Sequence, residues 1–318
     1  MKPKVRKFIL ADILLLLLLF LASSTDLLIK EQATEVYKIA VLVDMPVKGQ
    51  QENFRSGIMK SSLQYHTDIN FINLASAQTT QERQEILQKE LQNGCQGIIL
   101  HCEKQAHISE ILANVPIGIP VIVYNGESDA ACIRGRIYSD SEKECELLTE
   151  AILQNPEKRN GVTFVELGEK TERVTALHEQ LRQNLEKAGI SVREIQLENL
   201  SAVQAPIREA SLVTGGVFVS ADLSVLQAMG EANVAVGKHL SVYGVGFHAG
   251  IRKAMEEGGI SASVVHRAYE AGYFSVEMVV KALSRKENQQ EPLFVETALV
   301  TAENMYTAEI ESIIFPYV

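Results

Sequence analysis

Short apolar runs alternate along this chain with longer stretches whose apolar residues return at helical spacing. The first run, Tyr37–Val43 (YKIAVLV), predicts a β-strand, and Asn53–Tyr65 a helix. Ile69–Leu74 predicts a second strand, and Thr79–Asn93 (TTQERQEILQKELQN) a helix entered through a Thr cap. Gly97–Leu100, His107–Asn114 and Val121–Tyr124 continue as strand, helix, strand. A second series opens with a helix at Glu142–Leu153 and has strands at Val162–Glu166, Ser191–Leu197, Gly216–Val219, Ser241–Val245 and Ser261–Val265. Helices at Val174–Ala188, Ala202–Ala210, Leu223–Glu231 and Ile251–Glu257 fall between them, and a long helix, Ala268–Ser284, precedes a last strand, Val295–Val300. Continuous apolar strands separated by helices imply parallel sheets covered on both faces. Two such series imply two doubly wound α/β lobes, whose ligands bind beyond the carboxyl ends of the strands.

The leader has a different pattern. Lys2, Lys4, Arg6 and Lys7 form a basic head, and Phe8–Ala22 is almost wholly apolar. This is the order of an export signal, with the head retained inside and the rest delivered outside. Residues 1–34 read as a signal peptide or a signal anchor. Ala22-Ser23-Ser24 offers a cleavage site, whereas extension of the apolar stretch to Ile29 approaches the roughly 20 residues that span a bilayer. No Cys follows to take a lipid. The expected location is the outer face of the cytoplasmic membrane, anchored or secreted.

Composition narrows the function. The 318 residues are enough for about two domains. A net charge of -10, with residues 1–34 contributing +2, argues against nucleic acid as a partner. Cys95, Cys102, Cys132 and Cys145 contain no CxxC pair and are too scattered for a disulfide scaffold or a zinc site of the usual spacing. No GxSxG, HExxH or GxxxxGK[ST] occurs, and Gly244–Gly250 reads GxGxxxG rather than a dinucleotide fingerprint. The sequence therefore asks for no enzyme and no cofactor.

Tyr37–Gly57, Asn93–Asn125 and Val242–Gly272, with Gln78 and Gln84, Ala221-Asp222 and Val300–Asn304, resemble the type I periplasmic binding proteins, close to the ribose-binding group. The resemblance covers roughly residues 36 to 305. It implies two Rossmann-like lobes joined by a three-crossover hinge, with crossings near Ile137–Asp140, His266 and Gln290. Residues 35–138 with 267–289 would form one lobe, and 139–266 with 290–318 the other.

The family's ligand positions, carried over residue by residue, are largely altered here. Asp44 and Lys48 fall at polar contact positions, and Gln50 and Gln51 replace two aromatics that sandwich a sugar ring. Asn125 stands for an Asp and Gly126 for an Arg. The gripping Arg of the second lobe falls at Leu177, with Arg173 one turn before it. Asp222 is kept beside Ala221, His248 stands for an Asp and His266 for the hinge Gln. His101 would face the same cleft. Asp222 reads equally as a helix cap, and the histidines read as polar cleft residues rather than a metal site. The resemblance implies a small polar, sugar-like cargo, but the cleft lacks the paired Asp and Arg and the aromatic walls of the usual sugar pose. The resemblance implies capture of that ligand for an ABC-type transporter. The alternative is a membrane-anchored receptor reporting occupancy to a sensor kinase.

Overall fold

The structure, a computed structural model, describes residues 12–17, 20, 36–44, 52–74, 77, 79–102, 105–168, 172–212, 216–237, 240–285 and 289–315. The chain divides into residues 1–36 and a compact unit, 37–318. In the first, residues 12–17 and 20 are helical and exposed. Among the described residues no helix is long and apolar enough to cross a membrane.

Two six-stranded sheets organise the compact unit. The first is built from β1 (Lys38–Asp44), β2 (Asp68–Asn73), β3 (Gly97–Cys102), β4 (Val121–Tyr124), β5 (Ile133–Ser139) and β11 (Leu293–Val295), in the order β11-β5-β4-β3-β1-β2. The second holds β6 (Val162–Leu167), β7 (Val192–Leu197), β8 (Val217–Ser220), β9 (Ser241–Val245), β10 (Ala262–His266) and β12 (Thr297–Val300), in the order β12-β10-β9-β8-β6-β7. Every pairing is parallel except β10 with β12.

Continuous apolar strands are explained by cover on both faces. Ile39, Val41, Ile99, Ile122 and Ile137 pack on one face of the first sheet with Phe54 and Ile58 of α1 (Glu52–Tyr65) and Val276 and Val279 of α9 (Ala268–Arg285). Their neighbours Ala40, Leu42, Ile98 and Leu100 pack on the other face with Leu87 of α2 (Thr80–Gln92) and Ile108 and Ile111 of α3 (Gln105–Leu112). The second sheet is covered likewise. Leu148 of α4 (Ser141–Gln154) and Leu177, Leu181 and Leu185 of α5 (Glu172–Lys187) lie on one face. Ile207 of α6 (Gln204–Leu212), Leu226 of α7 (Leu223–Ala235), Ile251 of α8 (Ala249–Glu256) and Ile313 of α10 (Ala308–Ile314) lie on the other.

Each sheet reverses direction beside its first strand, between β1 and β3 and between β6 and β8. These are the switch points at which doubly wound sheets bind ligands. The chain crosses between sheets after Ser139, after His266 and at Glu296. The third crossing corrects the expectation of Gln290. Gln290 N donates to Arg134 O at 2.7 Å, its side chain donates to Met278 O at 2.8 Å, and β11 then pairs with β5. Residues 290–295 thus belong with the first sheet. The expected single strand Val295–Val300 is in fact the junction of two strands in different sheets. Glu296 at that junction accepts from Arg267 Nε at 2.7 Å, and its carbonyl accepts from Arg267 N at 3.0 Å, tying the second crossing to the third. The strand β5 and the helix α10 were not anticipated as elements.

Candidate functional site

A buried carboxylate organises the hinge. Asp140 caps α4 by accepting from Lys143 N at 2.9 Å, which starts the helix just past the first crossing. That places Glu144 in the first turn, where the helix dipole favours an anion, with a fully buried side chain. Arg173, at the start of α5, donates from one guanidinium nitrogen to both Glu144 oxygens at 2.6 and 2.5 Å. The same nitrogen lies 3.4 Å from Ser139 Oγ. His266, ending β10, brings Nδ1 to 3.6 Å from Glu144 Oε1. Burial alone would raise the Glu144 pKa, but Arg173 and His266 outweigh it and hold the carboxyl at about 2.

From the first sheet, His101, one residue before the end of β3, and Tyr124, the last of β4, face this cluster. Their rings lie 4.5 Å apart, Phe54 stacks on Tyr124 at 5.1 Å, and His266 meets Tyr124 edge-on at 6.3 Å. Burial, then His266 and Arg173, push the His101 pKa down to about 3, so its imidazole is neutral at ordinary pH. Asn125 takes a left-handed backbone, φ 53°, and its Oδ1 accepts from Ser139 N at 2.7 Å and Ser139 Oγ at 3.2 Å. Next to it only glycine fits: a Cβ on Gly126 would lie 2.2 Å from Ile108 Cδ1 and 2.8 Å from Cys102 O. The large residue that the resemblance would put at 126 has no room in this backbone.

The structure thus brings together His101, Asn125, Arg173 and His266. It places three other expected site residues in separate interactions. Asp44 Oδ2 lies 3.8 Å from Arg83 Nε and accepts from Cys102 Sγ at 3.6 Å. Asp222 caps α7, accepting from Ser224 N at 2.8 Å and Val225 N at 3.1 Å. His248 caps α8, its Nδ1 accepting from Gly250 N at 2.9 Å, which fixes the ring proton on Nε2 in the neutral form. Lys48, Gln50 and Gln51 lie outside the described residues. Replacing Asp222 with Ala is expected to lower stability by about 1 kcal/mol through the lost cap. Thermal unfolding measures it, and an unchanged midpoint would return Asp222 to the ligand.

Sequence reasoning missed Glu144 and Glu166. Glu166, 2% exposed at the end of β6, lies 2.8 Å from His178 Nε2, although the ring does not aim a hydrogen along that line. Its Oε1 also accepts from Ser220 Oγ at 3.4 Å and Ala221 N at 3.3 Å, tying β6 to the loop before Asp222. One signal was readable for Glu144. It stands four residues before Leu148 and eight before Ile152, inside the apolar stripe of α4.

The lobes also meet at the mouth of the cleft. Asn53 Nδ2, on α1, donates to Ile314 O at the end of α10 at 3.3 Å. Glu52 raises the His248 pKa from across the same gap, although burial keeps that value lowered overall. Among the described residues no group of acidic, cysteine or histidine side chains is arranged to hold a metal, and all four cysteines are buried and free.

A family model described as the periplasmic binding protein domain matches residues 39–287. The chain belongs to this family. Membership implies an extracytoplasmic protein that binds its ligand rather than transforming it. A search of curated proteins gives no match. Solved structures share the fold of this periplasmic binding protein at low identity. A periplasmic ribose ABC transporter protein from Conexibacter woesei is 17% identical with a TM-score of 0.72, over 87% of this chain and 97% of that one. An ABC transporter solute-binding protein from Agrobacterium vitis with bound D-fucose is 16% identical with a TM-score of 0.71, over 87% and 100%. A protein described as a LacI transcriptional regulator from Bacteroides fragilis is 13% identical with a TM-score of 0.71, over 85% and 99%.

Proposed function

We propose that this periplasmic binding protein captures a small polar, sugar-like ligand between its lobes and presents it to an ABC-type transporter. The observation that carries the reading is the convergence of His101, His266 and the Arg173–Glu144 pair at the strand ends on both sides of the hinge. Family membership and the bound sugar of the Agrobacterium vitis structure agree with it. Because Glu144 balances the charge of Arg173, the site suits an uncharged ligand better than an anion. The missing aromatic sandwich at Gln50 and Gln51 implies a pose held by hydrogen bonds rather than ring stacking.

A thermal-shift screen of sugars, polyols, purines and amino acids tests this. A ligand at about 100 times its Kd should add about 2.7 kcal/mol of stability. His266→Ala should weaken that ligand by roughly 0.5–1.5 kcal/mol, the worth of one neutral hydrogen bond. A screen without a hit, or calorimetry showing unchanged affinity in the variant, would count against the site. A sensory role is favoured by one feature, the apolar stretch Phe8–Ile29 with no Cys directly following it to take a lipid. Mass spectrometry of the mature chain separates the two. A start at Thr25 speaks for the released carrier, and an intact Met1 region for the tethered receptor.

A further inference from the structure

The lobes touch at a place that the three crossings do not account for. The first turn of α1 follows β1, which β4 and β3 separate from β5 and the first crossing. There Asn53 Nδ2 donates to Ile314 O at 3.3 Å, a contact spanning 261 residues of sequence. The acceptor lies in the last turn of α10, where helical carbonyls have no partner within their own helix. Its donor comes from the other lobe. Each half of the contact is fixed to its own sheet. On the α1 side, Phe54 and Ile58 are buried in the core of the first lobe, and Gly57 meets the backbone of α9. On the α10 side, Ile310, Ile313 and Ile314 are buried in the core of the second. Phe315, just past the helix, lies edge-on to Phe247 at 6.0 Å, with the Arg252 guanidinium 5.9 Å from its ring. Neither helix can follow the other through a hinge rotation without leaving its own core, so the contact exists only while the lobes are together. The helix ends that meet are of opposite sign, first-turn N–H groups on α1 and last-turn carbonyls on α10. Glu52 of the same α1 turn lies within electrostatic reach of His248, at the start of α8, so the facing wall is the second lobe there too.

We propose that the carbonyl end of α10, held by Asn53 of the opposite lobe, is a built-in latch that draws the lobes together before any ligand is bound. The inference rests on the contact between the lobes and not on the binding function proposed above. Its strength is that of one neutral hydrogen bond, which shifts an open–closed equilibrium by about two- to tenfold. That biases the clamshell without locking it. A ligand that has to close the lobes then has correspondingly less to supply through its own contacts on the two sides. The amide of Asn53 is what the latch needs, because it can donate to a carbonyl and a carboxylate cannot. Asp at the same position would set like signs against each other across the mouth. On its own helix the same charge would be favourable, since it stands in the first turn of α1. Asn53→Asp therefore separates a latch from a residue that merely supports α1.

The test uses the full chain in detergent micelles without ligand, spin-labelled at Gln81→Cys in the first turn of α2 and Gln204→Cys at the start of α6. Both positions are exposed, at helix ends that follow the carboxyl ends of β2 and β7, and the native cysteines are buried. Pulsed dipolar spectroscopy should show a short inter-lobe distance predominating when Asn53 is intact. In Asn53→Ala the ratio of long to short distances should rise about two- to tenfold. In Asn53→Asp it should rise at least as far, while the amides of α1 from Ile58 onward exchange with solvent no faster than before the change. Lobes already wide open with Asn53 intact, or two variants with its distribution, would overturn the proposal. So would an Asn53→Asp protein that stays closed while Asn53→Ala opens, because Asn53 would then act through its own helix. Opening in both variants of a protein for which no ligand is found would sustain the latch and count against the binding function alone.

Discussion

Arg173→Met should cost the folded protein about 3–5 kcal/mol, the largest loss expected of any change at the site. The reason is the partner left behind. Glu144 is fully buried and receives both short contacts from the Arg173 guanidinium. With the guanidinium gone, a carboxylate that is ionised at ordinary pH must stay in a poorly hydrated hinge or take up a proton. Urea unfolding should show a lower midpoint with an unchanged slope. The double variant Arg173→Met, Glu144→Met should recover most of the loss, because replacing both members of a buried pair by apolar groups is often neutral. A single variant within about 0.5 kcal/mol of wild type, or a double variant no better than the single, would show that Glu144 is stabilised by something other than Arg173.

Gly57→Ala should cost about 3 kcal/mol, for a reason that has nothing to do with charge. A Cβ on Gly57 would lie 1.9 Å from the Tyr269 carbonyl oxygen, and one on Gly272 would lie 2.0 Å from the Phe54 carbonyl oxygen. Here α1 and α9 touch backbone to backbone, and neither carbonyl can move without shifting its helix. Since α9 begins two residues after His266, the displacement should reach the hinge as well. Gly118→Ala is the control, because nothing lies within 4 Å of its added carbon. Its unfolding midpoint should stay at the wild-type value. Equal midpoints for the two variants would mean that the helices part without penalty.

Much of the architecture could be read from residue pattern alone, because buried parallel strands need unbroken apolar runs and their covering helices need a stripe. Tyr37–Val43 and Val121–Tyr124 are examples in which chemistry and burial coincide. The pattern failed where one residue changes the path of the chain. Glu296 interrupts a run that otherwise reads as a single strand, and its contacts with Arg267 lie 29 residues away in sequence. The site was harder to read for a related reason. Asp222 was legible as a cap because Asp before a helix has a local role. His248 caps by a ring nitrogen, a use that its residue type does not announce. Arg173 looked like a hand held out to a ligand, and its actual partner was a helix-face glutamate that composition counts as solvated. Ion pairs between elements are set by the tertiary fold, and no local spacing encodes them.

The division of the last strands between the sheets bears on how the chain reaches its destination. The first sheet receives its edge strand at Leu293–Val295 and the second at Thr297–Val300, while α9, which covers one face of the first sheet, ends only at Arg285. Neither half can therefore complete its architecture until nearly the whole polypeptide has emerged. Pairings of large sequence separation form slowly, so the edge strands β11 and β12 are expected to join sheets whose inner strands are already paired. The last strands to be made are thus the ones that close the edges of both sheets.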